Sequence, residues 1–160
     1  MTLTNLRLSE SNISTILAEI EGLYRAYPRA NVTTTLTDLL LTVLCAHQSL
    51  LDTFVILHAG FVAAVYRLIG VDFGAHLLQT LIERFDEVYQ NKGKDGVNLL
   101  VFLSELYNFG VVGAGLVYDL IRMFLENLDE FGTELLLKIV QSIFPLSLML
   151  IRFGTAITTR

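Results

Sequence analysis

Cysteine and basic residues are scarce in this 160-residue sequence, and their scarcity excludes several classes of protein. The single cysteine, Cys45, lies in an apolar stretch, which indicates a packed thiol in a reducing compartment. Eleven Lys and Arg stand against 16 Asp and Glu, which gives a net charge of −5. The basic footprint that binding to phosphate groups requires is therefore missing. The first 12 residues contain no apolar run of the kind that secretory signals have.

Motifs of catalytic and metal-binding sites are also missing. The three histidines are too far apart to form an i,i+4 ligand pair, and no Cys-x-x-Cys motif is present. The segment GVVGAG, residues 110–115, has neither the preceding strand nor the Lys-Ser/Thr of a phosphate-binding loop. We therefore expect no enzyme, no cofactor and no metal site. An active site formed between helices is the alternative that the structure has to address.

Apolar residues recur at helical spacing along almost the whole chain. Hydrophobic residues make up 53% and charged residues 17%, which excludes disorder and favours helices with wide apolar faces. The pattern predicts three helix pairs and one single helix, at about residues 11–47, 50–89, 97–127 and 130–143. Pairs that recur about every 40 residues are typical of HEAT-type repeats. Asp129 is predicted to cap the last helix, and Glu134 to pair with Lys138 on its solvent side.

The most regular hairpin is predicted over residues 98–127. Gly110 fits the C-cap of its first helix, because a residue without Cβ adopts a left-handed conformation cheaply. Two helices joined by so short a turn lie antiparallel, each against the apolar stripe of the other. The opposite face of the second helix carries Asp119, Arg122 and Glu126, spaced to form local ion pairs. The two stripes consist of Leu99, Phe102, Leu103, Leu106 and Tyr107, and of Leu116, Val117, Leu120, Ile121 and Phe124.

Two apolar stretches raise the question of a membrane, because the mean hydropathy of the chain is +0.58. Residues 50–71 contain three ionisable side chains, which are costly inside a bilayer. A buried helix of a helical array is therefore the favoured interpretation of that stretch. Residues 139–157 contain one proline and one arginine, and for them membrane association stays open as an alternative.

A family resemblance rests on three segments that occur in this order: RLSESNISTILAEIEGLYRAYPRANVTTTLTDLLL, DTFVILHAGFVAAVYRLIGVDFGAHLLQTLIERFDEVY and NLLVFLSELYNFGVVGAGLVYDLIRMFL. Over about residues 8–140 they resemble the nucleolar MIF4G-domain protein family, also called the suppressor-of-glycerol-defect family. The most specific signatures are GAHLLQTLIERFDEVY and LSELYNFGVV. The resemblance implies an all-α fold, a right-handed α-solenoid of HEAT-type antiparallel helix hairpins.

The resemblance also implies a function. It implies a non-catalytic role in small-subunit ribosome biogenesis, through 18S ribosomal RNA maturation in the nucleolus. The implied partners are a DEAD-box RNA helicase of the initiation factor 4A class and the pre-ribosomal particle, whereas direct contact with RNA stays open and a membrane is not expected. Polar positions beside the hairpin turns are our predicted partner contacts: Arg67, Glu105, Asn108, Asp119 and Arg122. For each of them, an exposed helix residue held in local pairs is the alternative.

The end of the sequence departs from the family pattern. The family solenoid usually has about five helix pairs, whereas residues 8–143 account for three pairs and one further helix, so the solenoid is predicted to be incomplete at its C-terminus. After residue 140 the family pattern turns polar, but residues 144–160 form an apolar tail. We expect a truncated or mispredicted gene product whose last 19 residues are not family sequence. The alternatives in function are a membrane-associated helical protein and an inactive fragment.

Overall fold

The computed structural model describes residues 8–46, 52–92, 95–126 and 128–157, with side chains up to Ile143 in the last range. The last three residues of the predicted tail lie outside this description. So do residues 47, 50, 51 and 127, at the ends of the predicted helix pairs. The described chain contains seven α-helices and no strand, which confirms the predicted all-α class. The helices are α1 (Ile13–Ala26), α2 (Arg29–Cys45), α3 (Asp52–Ile69), α4 (Val71–Gln90), α5 (Asp95–Asn108), α6 (Ala114–Glu126) and α7 (Glu130–Ile157).

The helices stack in two layers, as expected for a solenoid of hairpins. In one layer α3 packs against α1 and α5, and α5 packs against α7. In the other layer α2 packs against α4, and the Phe85 ring of α4 meets the Phe124 ring of α6 with centroids 6.2 Å apart. The two helices of each hairpin, α1 with α2, α3 with α4 and α5 with α6, are also in contact. Stacked hairpins of this kind cover their apolar faces with the neighbouring pair, and the right-handed sense of the array stays a prediction.

Helix α5 is the centre of this arrangement. It contacts α2, α3, α4, α6 and α7, and nine of its 14 residues are buried. The predicted stripe covers one side of α5, yet Leu100 and Val101 outside that stripe are buried as well. Buried polar side chains on α5 are hydrogen bonded: Asn98 Nδ2 donates to the Leu44 carbonyl at 3.3 Å, and Ser104 Oγ to the Leu100 carbonyl at 2.9 Å.

The turn after α5 has the geometry predicted for Gly110. Its φ is +74°, a left-handed conformation that favours glycine. The Gly110 N–H donates to the Tyr107 carbonyl, and the Val111 N–H donates to the Leu106 carbonyl, both at 2.9 Å. These two bonds form a Schellman motif, which satisfies carbonyls that the helix end leaves open. The antiparallel return of the chain into α6 follows from this turn.

Asp129 caps α7 as predicted. Its Oδ1 accepts a 2.7 Å hydrogen bond from the Gly132 N–H, the usual role of a capping carboxylate. Its Oδ2 is 2.8 Å from Lys92 Nζ, just after α4. The lysine and the Gly132 N–H both lower the pKa of Asp129. The Tyr89 ring of α4 packs against the rings of Phe124 and Phe131, with centroids 5.7 and 6.0 Å apart, so α4, α6 and the start of α7 are joined.

Two predictions about α7 are wrong. The helix continues past residue 143 to Ile157, because four of the five residues after Pro145 are Leu or Met, which have high helix propensity. In addition, none of the ion pairs in the described chain joins Glu134 to Lys138. Lys138 instead lies on the side of α7 that faces α3 and α5.

Helix α3 is, by length and composition, able to cross a membrane; it is the one such helix among the described residues, and 39% of the stretch is buried. The core helix of a soluble protein passes the same test. Seven α3 residues are buried, and the helix packs against α1, α4 and α5. These contacts account for the apolar side chains that α3 buries.

Candidate partner-binding surface

The five predicted contact residues lie in three separate places. Arg67 is exposed in the last turn of α3. Glu105 and Asn108 are half-buried near the end of α5. Asp119 and Arg122 are exposed on α6. The structure therefore brings two pairs together and leaves Arg67 apart from both.

A groove of about 390 Å³ runs between α3, α5 and α7, and Glu105 and Asn108 lie in it. Its floor is α5, which is recessed because it has a helix on either side in the same layer. On this floor Val101 is buried and Glu105 is half-buried. Phe109, which follows the end of α5, is 37% exposed. The walls consist of Asp52 and Ile56 from α3 and of Lys138, Gln141 and Ser142 from α7.

Hydrogen bonds hold two polar side chains of this groove, those of Asn108 and Glu105. Asn108 Nδ2 donates to Glu105 Oε2 at 3.2 Å and to the Ser142 carbonyl at 3.0 Å. The second bond ties the end of α5 to α7 across 34 residues of sequence. Because one amide holds both the carboxylate and the neighbouring backbone, the position of Glu105 is set before any partner arrives.

The groove has a negative character. Burial raises the pKa of Glu105, the hydrogen bond from Asn108 lowers it, and the nearby charge of Asp52 raises it further. Lys138 contributes one positive charge to the opposite wall, but it belongs to none of the ion pairs of the described chain. Two carboxylates therefore line a groove with one ammonium group, and among the described residues neither carboxylate has a direct ion pair.

The Asp119–Arg122 pair on α6 has a different setting. The two charged groups are 4.0 Å apart, and each side chain is 73% exposed. The i,i+3 pairing predicted from the sequence is confirmed, but solvent screens it, so it contributes little to stability. These residues present separate charges on an open helix face.

A second groove, of about 330 Å³, lies between α2 and α4 in the other layer. It is lined by Asp38, Glu83, Arg84 and Glu87, together with Leu41, Thr42 and Thr80. Arg84 and Glu87 are paired at 3.2 Å on the exposed side of α4. Three of its four charged side chains are thus acidic, and its lining contains none of the predicted contact residues.

Three kinds of group in the described part of the chain could carry chemistry: metal ligands, a thiol and an imidazole. Within the described part of the chain, no group of three His, Cys, Asp or Glu side chains could hold a metal ion. Burial raises the pKa of the Cys45 thiol, which disfavours the nucleophilic thiolate. The ring of His58 is buried, and its Nδ1 lies 2.8 Å from the Phe54 carbonyl of the same helix. What the groove offers a partner is fixed hydrogen-bonding groups, charge and apolar surface.

Sequence reasoning missed most of the residues that form the groove. Asp52, Ile56, Phe109, Lys138, Gln141 and Ser142 line it. They come from two helix pairs and the single helix α7, so no local motif joins them. One signal was available: Phe109 is a large apolar residue at a turn, outside the predicted stripes.

The fold and the surface are those of an α-solenoid protein. It is an array of antiparallel helix hairpins, and proteins of this class use their interhelical grooves to bind partners. A family model for the MIF4G domain matches residues 5–147. This chain belongs to the MIF4G domain family. The match also corrects the expectation that family sequence ends near residue 141, because it extends through residue 147.

Curated relatives give the same result. The chain is 50% identical over 141 residues to Suppressor of glycerol defect protein 1 of Schizosaccharomyces pombe. This match covers 84% of this chain and 18% of that protein. It is 37% identical to the Saccharomyces cerevisiae protein of the same name, over 84% of this chain and 16% of that protein. It is 30% identical to Nucleolar MIF4G domain-containing protein 1 of Homo sapiens, over 86% of this chain and 16% of that protein.

The chain thus spans less than a fifth of the length of these relatives. The resemblance to the nucleolar MIF4G-domain proteins that the sequence motifs indicated is confirmed. No solved structure matches the chain.

Proposed function

We propose that this chain is a non-catalytic helical scaffold of small-subunit ribosome biogenesis, and that it binds a DEAD-box RNA helicase of the initiation factor 4A class. The observation that supports this most strongly is membership of the MIF4G family, together with 50% identity to a suppressor of glycerol defect protein. Relatives that carry the word nucleolar in their names support a nucleolar location. The pre-ribosomal particle, in 18S ribosomal RNA maturation, is the proposed setting.

The physical character of the molecule supports a protein partner over a nucleic acid. The net charge is −5, and both grooves are lined by more acidic than basic side chains. Such surfaces repel phosphate, whereas they can pair with basic residues of a protein. A stack of helices joined through a common core holds such surfaces in fixed positions, which suits a scaffold that orients the two lobes of a helicase.

Among the predicted contacts, we favour Glu105 and Asn108 over the others. They lie in a recess, held by hydrogen bonds to each other and to α7. Polar groups that are fixed and partly desolvated contribute more to binding than exposed ones. Asp119, Arg122 and Arg67 are proposed as peripheral contacts that affect the association rate, because they are exposed.

Calorimetric titration of the 160-residue chain with a purified helicase of the 4A class tests this function. We expect saturable binding with one-to-one stoichiometry, and no ATP hydrolysis by the chain alone. A DEAD-box helicase of another class is the control for specificity. Absence of heat with the 4A-class helicase, from a chain that is folded by circular dichroism, would contradict the proposal.

The peripheral contacts are tested separately with the charge reversal Asp119→Arg with Arg122→Asp. This variant keeps an acidic and a basic side chain at i,i+3 spacing, so the helix should remain stable. The two charges exchange places, which reverses the local electrostatic pattern on α6. We expect slower association with the helicase and an unchanged dissociation rate. Identical association rates in the parent and the reversed variant at low salt would remove Asp119 and Arg122 from the surface.

A further inference from the structure

The groove between α3, α5 and α7 combines two carboxylates with apolar side chains that remain in contact with solvent. We propose that this groove binds an arginine side chain of a partner protein, whose guanidinium group lies between Glu105 and Asp52 while its apolar stem lies against Ile56 and Phe109. The identity of the partner rests on the proposed function, but the chemistry of the site does not.

The apolar side of the groove is accessible to solvent and packs against the core. Ile56 is 40% exposed and Phe109 is 37% exposed, although both adjoin a densely buried core. The Phe109 ring is seated on α3 at Gly60, where an added Cβ would lie 3.4 Å from Phe109 Cζ. An aromatic ring held in this way offers a face to a guanidinium group, which stacks on aromatic rings.

The acidic side of the groove is preorganised for a cation. Glu105 is half-buried and its Oε2 accepts one hydrogen bond, from Asn108. An ionised carboxylate has about four acceptor positions, so one neutral donor leaves most of its capacity for a partner. Because Glu105 is partly removed from water, its attraction to a cation is stronger than that of an exposed carboxylate.

The composition of the groove selects against other occupants. The groove has two carboxylates and one ammonium group, that of Lys138, and this excess of negative charge disfavours a phosphate or a carboxylate ligand. A purely apolar occupant would cover the Glu105 charge without pairing it, which is costly. Arginine fits better than lysine, because its planar fork can bond two carboxylates and is more weakly hydrated. The volume of about 390 Å³ leaves room for the backbone that carries the side chain.

Nuclear magnetic resonance titration of the full chain with N-acetyl-arginine methylamide tests the proposal without any helicase. We expect saturable shifts of the Ile56 and Phe109 backbone amides and of the Asn108 side-chain amide. The matching citrulline and leucine derivatives control for shape and for apolar contact, and they should not produce saturable shifts. A lysine derivative should bind more weakly than the arginine derivative.

A matched pair of variants completes the test. Glu105→Gln should weaken binding of the arginine derivative at least about tenfold, a loss that corresponds to about 1.4 kcal/mol. Glu126→Gln replaces an exposed carboxylate on α6 by a carboxamide. This variant should bind the arginine derivative as the parent does. The dispersion of the amide spectrum shows whether each variant is folded.

Several results would overturn the proposal. These are equal shifts with citrulline, no saturable shift with arginine, full binding by a folded Glu105→Gln variant, or concentration-dependent shifts of the same amides without probe, which would assign the groove to self-association. A chain that binds arginine here but binds no 4A-class helicase would refute the proposed function and leave this inference standing.

Discussion

Helices α5 and α6 are the two halves of one hairpin, but they hold very different places in the molecule. None of the α5 residues is exposed, and the helix contacts five others. In α6 only Val117, Leu120 and Phe124 are buried. The reason is position: α5 lies between α3 and α7 in one layer and against α2 and α4 in the other. The hairpin therefore consists of a central helix and an edge helix, and its two halves should respond differently to substitution.

The largest expected effect is on core packing. Leu103 on α5 is 1% exposed, whereas Leu125 on α6 is 51% exposed. Leu103→Ala should lower the free energy of unfolding by about 2–5 kcal/mol, because it removes buried methyl groups and leaves a cavity. Leu125→Ala should lower it by about 0.5 kcal/mol or less. Urea unfolding of both variants measures this, and equal losses would show that α5 is not the central helix.

The turn between the two helices should give the next largest effect. Gly110→Ala places a Cβ on a residue with φ of +74°, which costs about 1–2 kcal/mol. Gly113→Ala is the matched control in the same turn, because a Cβ there meets nothing within 4 Å and the backbone is not left-handed. Thermal unfolding should separate the two variants by several degrees. If Gly113→Ala is the more damaging change, the Schellman geometry is wrong.

A buried histidine in the same layer as α5 should make stability depend on pH. Burial lowers the pKa of His58 below its ordinary value of 6.5, against a smaller raising effect of the Phe54 carbonyl. The folded state therefore favours the neutral imidazole. The contribution of His58 to the free energy of unfolding is complete above pH 6.5 and is lost as the pH falls below that value. One linked proton gives a slope of at most about 1.4 kcal/mol per pH unit.

The comparison of parent with His58→Leu isolates this contribution from other titrating groups. The difference in unfolding free energy between the two proteins should be constant above pH 7. It should then shift in favour of the variant between pH 6.5 and 5. A difference that stays flat over that range would mean that His58 is protonated without cost, and that its surroundings are not closed to water.

The smallest effect is expected at the exposed pair of α6. Asp119→Asn should leave the urea midpoint unchanged, because both partners are 73% exposed and their charges are 4.0 Å apart. Glu105→Gln on α5 is the sharper counterpart. It removes a half-buried charge whose pKa is raised by burial, so we expect unchanged or slightly higher stability at pH 7. A large loss of stability in Glu105→Gln would indicate a structural role for its charge.

Local features of the sequence predicted much of the fold, because helices, turns and caps depend on neighbouring residues. The stripe at Leu99, Phe102 and Leu103, the left-handed Gly110 and the capping Asp129 all occur as expected. The burial of Leu100 and Val101 did not follow from the stripe. It depends on how many helices surround α5, which periodicity does not encode.

The groove could not be predicted in the same way. Asp52 and Glu105 are 53 positions apart in the sequence, and Lys138 is 33 positions beyond Glu105. Their approach is set by the packing of α3 and α7 on either side of α5. Lys138 fitted a local i,i+4 pair with Glu134, and the structure places it in the groove instead. Of the five predicted contacts, only Glu105 and Asn108 lie there.

Hydrogen exchange of the chain, free and bound to a 4A-class helicase, tests most directly whether the partner binds beside the central helix. We predict that the bound helicase slows exchange at residues 52–56, 105–109 and 138–142, which border the groove, and leaves residues 114–126 of α6 nearly unchanged. New protection confined to α6, or no change of exchange under conditions of saturating helicase, would contradict the account.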